Sequence, residues 1–236
     1  AGDAAPGAST GDAMKELESF SYAVSHDLKA PLRGIDGYSK ILLEDYGDRL
    51  DEQGQRFLAN IRNGTRQMHA LIEDLLAYSR MERRSLEASR VDLGEVMRSV
   101  LNRRSDEIAA ASVQIVGEVP SITVRADHQG VEMVLRNLLD NALKFSRDAD
   151  PAIVTLHAVV QDGRAHLSMR DNGIGFDMKY HERIFEIFQR LHRNEDFSGT
   201  GVGLALVRKA MQRMDGRVWA ESAPGEGATF HLEFPA

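Results

Sequence analysis

The chain has 236 residues, with 29 Lys and Arg against 36 Asp and Glu, and a net charge of −7. That balance argues against broad binding to nucleic acid or anionic membrane, and the absence of cysteine excludes disulfides and thiolate metal sites and suits a reducing cytoplasm. No apolar run approaches the ~18 residues of a membrane span and no signal-peptide pattern is present; the length leaves room for two compact domains.

Residues 1–12 are small-residue linker material, read as the tail of an upstream domain absent from this chain. From 13 to 84 two long helical periodicities follow. In the first, Leu17, Phe20, Val24, Leu28, Pro31, Ile35, Tyr38 and Leu42 recur at steps of three or four and predict one buried stripe. His26 is two residues from both Val24 and Leu28, so at about 100° per residue it points away from that stripe. Pro31 removes a backbone donor and clashes with the carbonyl of Asp27, loosening the turn that carries His26. An ordinary exposed histidine on a kinked helix fits these residues as well as a reactive one. The second periodicity runs Phe57, Ile61, Met68, Leu71, Ile72, Leu75 and Tyr78, with a turn at Tyr46-Gly47-Asp48 between the two. A lone hairpin buries such stripes poorly, whereas two hairpins make a four-helix bundle, so a homodimer through residues 13–84 is expected, the alternative being an intramolecular hairpin packed on the second domain.

After a linker at 85–90, residues 91–236 mix helices and strands. Leu93 to Ala111 reads as helix, Val113 to Val116 and Ile122 to Ala126 as short strands, and Glu132 to Ser146 as helix. Within that last helix Asn137, Asn141 and Lys144 share one face, opposite Leu135, Leu138, Leu139 and Ala142. Two carboxamides and an ammonium suit a hydrated magnesium ion and phosphate oxygens; a solvated helix face is the alternative. Ile153 to Val160 and His166 to Arg170 pair around the turn Gln161-Asp162-Gly163-Arg164. Asp171-Asn172-Gly173-Ile174-Gly175 follows: a turn signal in its own right, or a carboxylate placed to accept a hydrogen bond from an adenine amine. Gly199-Thr200-Gly201-Val202-Gly203-Leu204 opens another apolar-periodic helix, where backbone amides make an anion site. Neither glycine run fits the Walker or dinucleotide patterns. Arg217 to Ala220 and Ala228 to Phe234 complete an α+β sandwich.

Taken in order, these segments resemble the sensor histidine kinases of two-component signalling. Ser25 to Leu32 is similar to their H box, Asn137 to Lys144 to the N box and Asp171 to Gly175 to the first G box. Phe185-Glu186-Ile187-Phe188-Gln189-Arg190 is similar to the F box and Gly199 to Gly203 to the second G box. The resemblance runs from about Met14 to Pro235, and its wording around His26 and at Phe188-Gln189-Arg190-Leu191-His192 is similar to phytochrome-like and other soluble sensors. It implies a helical hairpin forming a dimeric four-helix bundle, then an α+β sandwich of the Bergerat or GHKL type, shared with gyrase-type topoisomerases, Hsp90 chaperones and MutL-like proteins.

The same resemblance implies ATP and Mg2+ as cofactors, autophosphorylation of His26, and transfer to an aspartate of a response regulator receiver domain. It assigns catalytic roles to His26, Asp27 and Arg190, magnesium to Asn141, and nucleotide binding to Asn137, Asn141, Lys144, Phe145, Asp171, Gly173, Ile174, Gly175, Gly199, Thr200, Gly201, Gly203 and Leu204. Gly173 and Gly175 are expected to let the base come close, and Leu191 to Ser198 to form a flap over it. Adjacent helical residues do not face each other, so for Asp27 an exposed charge without a role stays open. Relatives that dephosphorylate their partner carry Thr or Asn where this chain has Ala30, whose methyl group cannot hold a water; weak phosphatase activity is expected. Lys29 and Arg33 border the same face and either attract phosphoryl charge or stay as solvated surface. Two readings from other classes remain: a nucleotide-driven switch without transfer, and an ATPase of the chaperone or DNA-repair type, against which the histidine-bearing hairpin speaks.

Overall fold

The computed structural model describes residues 10–83, 86–191, 197 and 199–235, with side chains in the first helix from Asp27 onward and in the second as far as Met81. They form two compact units that divide between Glu82 and Arg83.

The first unit is a hairpin of α1 (Thr10–Tyr46) and α2 (Glu52–Arg83), joined through a single 3-10 turn at Gly47–Arg49. Thr10 to Asp12, expected as linker, already belong to α1; residues 1–9 lie outside the described residues. Helix α1 runs through Pro31. Asp51 caps α2, its Oδ1 accepting from the Gly54 N–H at 2.7 Å. Leu32, Ile72 and Leu76 form the apolar seam between the helices, with Ser39 and Thr65 also buried. Ion pairs Lys29–Glu73 (2.5 Å) and Asp36–Arg62 (3.1 Å) tie α1 to α2.

The apolar stripe expected in α1 is largely open in the single chain. Leu28, Ile35, Tyr38 and Leu42 are exposed in the single chain, Tyr38 at 74%, and Pro31 is exposed as well. Phe57, Ile61 and Met68 of α2 are exposed too. Two helices touching along one line cover only the narrow seam between them, so most of each stripe stays open. Leu17, Phe20 and Val24 lie outside the described side chains.

The second unit begins earlier than expected. Residues 88–90, expected as linker, are the first part of β1 (Ala88–Asp92), which pairs antiparallel with β3 (Thr123–Asp127). Only Val91 of β1 is buried, so the strand has too little apolar alternation to be read from sequence. The helix expected over 93–111 is broken at Arg104 into α3 (Leu93–Arg103) and α4 (Ser105–Ala110). Asp92 caps α3 and Asp127 caps α5 (His128–Ser146), accepting from the backbone N–H groups of Glu95 and Gly130; each such cap contributes about 1 kcal/mol.

Strands β2 (Gln114–Val116), β4 (Ile153–Gln161), β5 (Arg164–Asp171), β6 (Arg217–Ser222) and β7 (Ala228–Pro235) form one sheet in the order β2-β4-β5-β7-β6. Only β2–β4 is parallel. The β4–β5 turn has two residues, Asp162 and Gly163, both at positive φ (53° and 73°), the type I′ geometry that matches strand twist. One sheet face is the core: Val154 and Leu156, Leu167 and Met169, and Leu232 and Phe234 are buried. Against it packs α5 through Val131, Val134, Leu135, Leu138 and Leu139. Helix α6 (Gly203–Arg213) lies beside α5. The end of β5, the end of α5 and the start of α6 are thereby gathered at one side of the sandwich.

Candidate active site

Helix α5 presents Asn137, Asn141, Lys144 and Phe145 in two turns. The Asn137 carboxamide is partly committed: Nδ2 donates to the Met133 carbonyl at 2.8 Å. A Cβ at Gly203 would stand 2.8 Å from its Oδ1, so a side chain there would have to displace the Asn137 carboxamide. Asn141 is half-buried, and no hydrogen bond to its carboxamide is recorded among the described residues.

Lys144 is the most perturbed group here. Burial, and after it the neighbouring Arg190, pushes its ammonium down to about 8. Its Nζ sits 4.1 Å from the centroid of the Phe145 ring and beside Gly199, whose added Cβ would be 3.1 Å away. Among the described residues no carboxylate forms an ion pair with it. Arg190 donates through a terminal nitrogen to the Phe197 carbonyl at 2.7 Å. Gly201, at φ +73°, packs against the backbone of Phe188 and Gln189. The Thr200 hydroxyl accepts from the Val202 N–H at 3.3 Å. Helix α6 then starts with no side-chain cap, leaving first-turn N–H groups to an anionic ligand. Leu204, half-buried, lies in that first turn.

Asp171, 2% exposed, ends β5. Its Oδ1 accepts from the N–H groups of Gly173 (2.9 Å) and Ala228 (3.4 Å). Burial raises its carboxyl above the ordinary range, against the pull of those amides. The glycines beside it are also required by the chain itself. A Cβ at Gly173 would stand 2.2 Å from the Phe145 carbonyl, and one at Gly175, at φ +59°, 2.1 Å from that of Ala223. Ile174 bridges both neighbours, its N–H donating to Phe145 and its carbonyl accepting from Gly225.

The structure thus brings the α5 residues, Asp171, Arg190 and the 199–204 run into one half of the sandwich. His26 is in α1, but its side chain lies outside the described residues, and Asp27 is exposed. Residues 192–196 and 198 of the expected flap also lie outside the described residues. Three contributors escaped sequence reasoning. Gly227, at φ +82°, lets the β6–β7 connection pass over the Asp171 carbonyl, where a Cβ would come within 1.9 Å. Asn172 ties the loop to β4, accepting from the Ile153 N–H and donating to the Pro151 carbonyl, both at 2.8 Å. Phe197 is buried between Phe145 (5.2 Å between centroids) and the Arg147 guanidinium (4.5 Å). Being the lone aromatic in a polar segment, it was the one signal there that a buried anchor existed.

Two family models match the chain: His Kinase A (phospho-acceptor) domain over residues 16–84, and Histidine kinase-, DNA gyrase B-, and HSP90-like ATPase over 126–236. The chain belongs to the sensor histidine kinases. Among curated relatives of this histidine kinase core, Phytochrome-like protein Cph1 of Synechocystis sp. is 36% identical over 93% of the chain. Cyanobacterial phytochrome B of Nostoc sp. is 38% identical over 92%. The chain spans only 29% of the length of either. Among solved structures, full-length ShkA in complex with AMPPNP superposes with a TM-score of 0.68 at 26% identity, covering 92% of this chain and 45% of that one.

Proposed function

We propose that the chain uses ATP to phosphorylate its own His26 and passes the phosphoryl group to an aspartate of a response regulator receiver domain. The observation that carries this reading is Lys144, an ammonium pushed down to about 8, beside Arg190 and the uncapped start of α6. Such a cluster is completed by a polyanion. The AMPPNP held by ShkA supports a nucleoside triphosphate as that anion.

In this reading Asp171 accepts from the adenine amine, Ile174 and Phe145 line the base, and Gly199, Thr200, Gly201, Gly203 and Leu204 shape the phosphate end. Lys144 and Arg190 neutralise the charge on the transferring group, which is where phosphoryl-transfer catalysis mostly resides. The Asn141 carboxamide oxygen, with Asn137 one turn earlier on α5, would suit a magnesium ion that keeps most of its waters; when bound, the ion supplies further phosphate charge neutralisation. The neutral imidazole of His26 attacks in line, with Asp27 orienting the ring.

In this reading the α1–α2 hairpin is the dimerisation and phosphotransfer domain and the unit that includes β1 onward is the catalytic domain. A second copy covers the open apolar stripe of Leu28, Ile35, Tyr38, Leu42, Phe57, Ile61 and Met68. Among the described residues no helix is long and apolar enough to cross a membrane, in keeping with a cytoplasmic placement. Ala30 predicts weak phosphatase activity. Incubation with γ-labelled ATP tests the reading: acid-labile, alkali-stable label is expected, and His26→Ala must abolish it. Label that survives that substitution would overturn it.

A further inference from the structure

Lys29 stands on α1 three residues after His26, one turn along the same helix face. Its side chain is only 20% exposed, and its Nζ lies 2.5 Å from Glu73 Oε1 on α2. That carboxylate oxygen is also 3.9 Å from His69 Nε2. The Lys29 hydrogen bond is the main cause holding the Glu73 carboxyl below the ordinary range. Lys29 lies one turn before Leu32 and Glu73 next to Ile72, two residues of the buried seam between the helices. Arg33, one turn further on, is exposed and has no ion pair among the described residues. A second pair across the hairpin among the described residues, Asp36–Arg62, is about 15 Å along the helix from His26. Lys29 is therefore a cation one turn from the histidine that is already engaged, by a carboxylate that also feels Arg80 of α2.

We infer that Lys29 is the counter-ion of phosphorylated His26 and that Glu73 competes for it, setting how firmly the phosphoryl group is held. This rests on His26 being the acceptor. In that step an imidazole nitrogen forms a bond to the γ-phosphorus. The bond to the bridging oxygen breaks, its electron pair leaving on ADP, and the other ring nitrogen gives its proton to water. The product carries about −1.5 to −2 of charge one turn from an ammonium with three donors. The doubly charged phosphoryl group draws Lys29 from the singly charged carboxylate. Glu73, with 48% of its side chain exposed, returns to water at little cost. Glu73 is thus a positioning residue acting through Lys29: it holds the cation ready and limits its grip on the product, so that the phosphoryl group remains transferable.

The test measures the phosphorylated fraction of the whole chain at fixed ATP-to-ADP ratios, with a thermal melt for each variant. Glu73→Gln should raise the equilibrium constant for autophosphorylation about threefold and slow transfer to a receiver domain. Lys29→Met should lower the constant about fivefold, and Lys29→Arg should keep it near wild type. The double variant should behave as Lys29→Met alone, because Glu73 has no effect without its lysine. If Glu73→Gln leaves the constant unchanged, or lowers it in step with the melting temperature, the pair is only a structural brace and the inference fails. It fails equally if Glu73→Gln still acts in the Lys29→Met background. Absence of label on wild-type His26 instead refutes the acceptor assignment, and the inference with it.

Discussion

Lys144 offers the most quantitative test of the nucleotide site. Its ammonium titrates at about 8 in the folded protein against an ordinary 10.5, so at pH 8 about half of the molecules hold the proton. A triphosphate beside it favours the charged form. Nucleotide binding should therefore take up about half a proton at pH 8 and almost none at pH 6.5. Titration calorimetry in buffers of different ionisation enthalpy reads that number as a slope. Lys144→Met should bind more weakly and lose its contribution to the slope. A wild-type binding enthalpy independent of buffer at pH 8 would refute the reasoning. The same depression makes a stability claim. Between about pH 8 and 10.5 the unfolded chain binds more protons than the folded one, so stability rises with pH across that window. The full difference corresponds to about 3 kcal/mol, and partial solvation of the side chain reduces it to about 1–2 kcal/mol. Lys144→Met removes this cost at pH 7 and should raise the melting temperature by about 4 °C.

Asp171→Asn should weaken nucleotide binding about 10- to 100-fold, the worth of a hydrogen bond to a charged group. Because burial raises the Asp171 carboxyl, wild-type affinity should fall as pH drops through that raised value, whereas Asp171→Asn should stay flat there; dissociation constants across pH 4–7 check this. Gly227→Ala forces a Cβ to within 1.9 Å of the Asp171 carbonyl and should cost about 3 kcal/mol or more. Gly225→Ala, at a similar φ of +80° but in open space, should cost only about 1 kcal/mol in denaturant melts. Tyr38→Glu with Phe57→Glu should shift a dimer to monomer in light scattering, and an unchanged mass would remove the proposed interface. Ala30→Thr should raise receiver dephosphorylation, which a phosphate-release assay reads.

Where one physical signal dominated, the sequence was sufficient. The α5 helix was legible because its apolar positions and its Asn137–Asn141–Lys144 face separate cleanly, and the β4–β5 hairpin because Asp162-Gly163 admits few other geometries. Strand β1 was not legible: four of its five residues escape burial, and what holds it is pairing with β3, a contact to residues 31 to 39 positions away. The stripe on α1 was read as buried because periodicity reports which face is apolar, not what covers it. The purposes of Gly173, Gly175 and Gly227 were hidden for a similar reason. Each answers to a carbonyl brought near only by the finished fold. Phe145 and Arg147 meet Phe197 some fifty residues on, a partnership no local pattern encodes.

The account turns on where the phosphoryl group goes, and mass spectrometry under alkaline handling addresses it most directly. After incubation with ATP and magnesium, the peptide spanning Ser25 to Arg33 should carry one acid-labile phosphate on the imidazole of His26, chased off by ADP. A phosphate found on another residue, or turnover of ATP to free phosphate with that peptide unmodified, would contradict it.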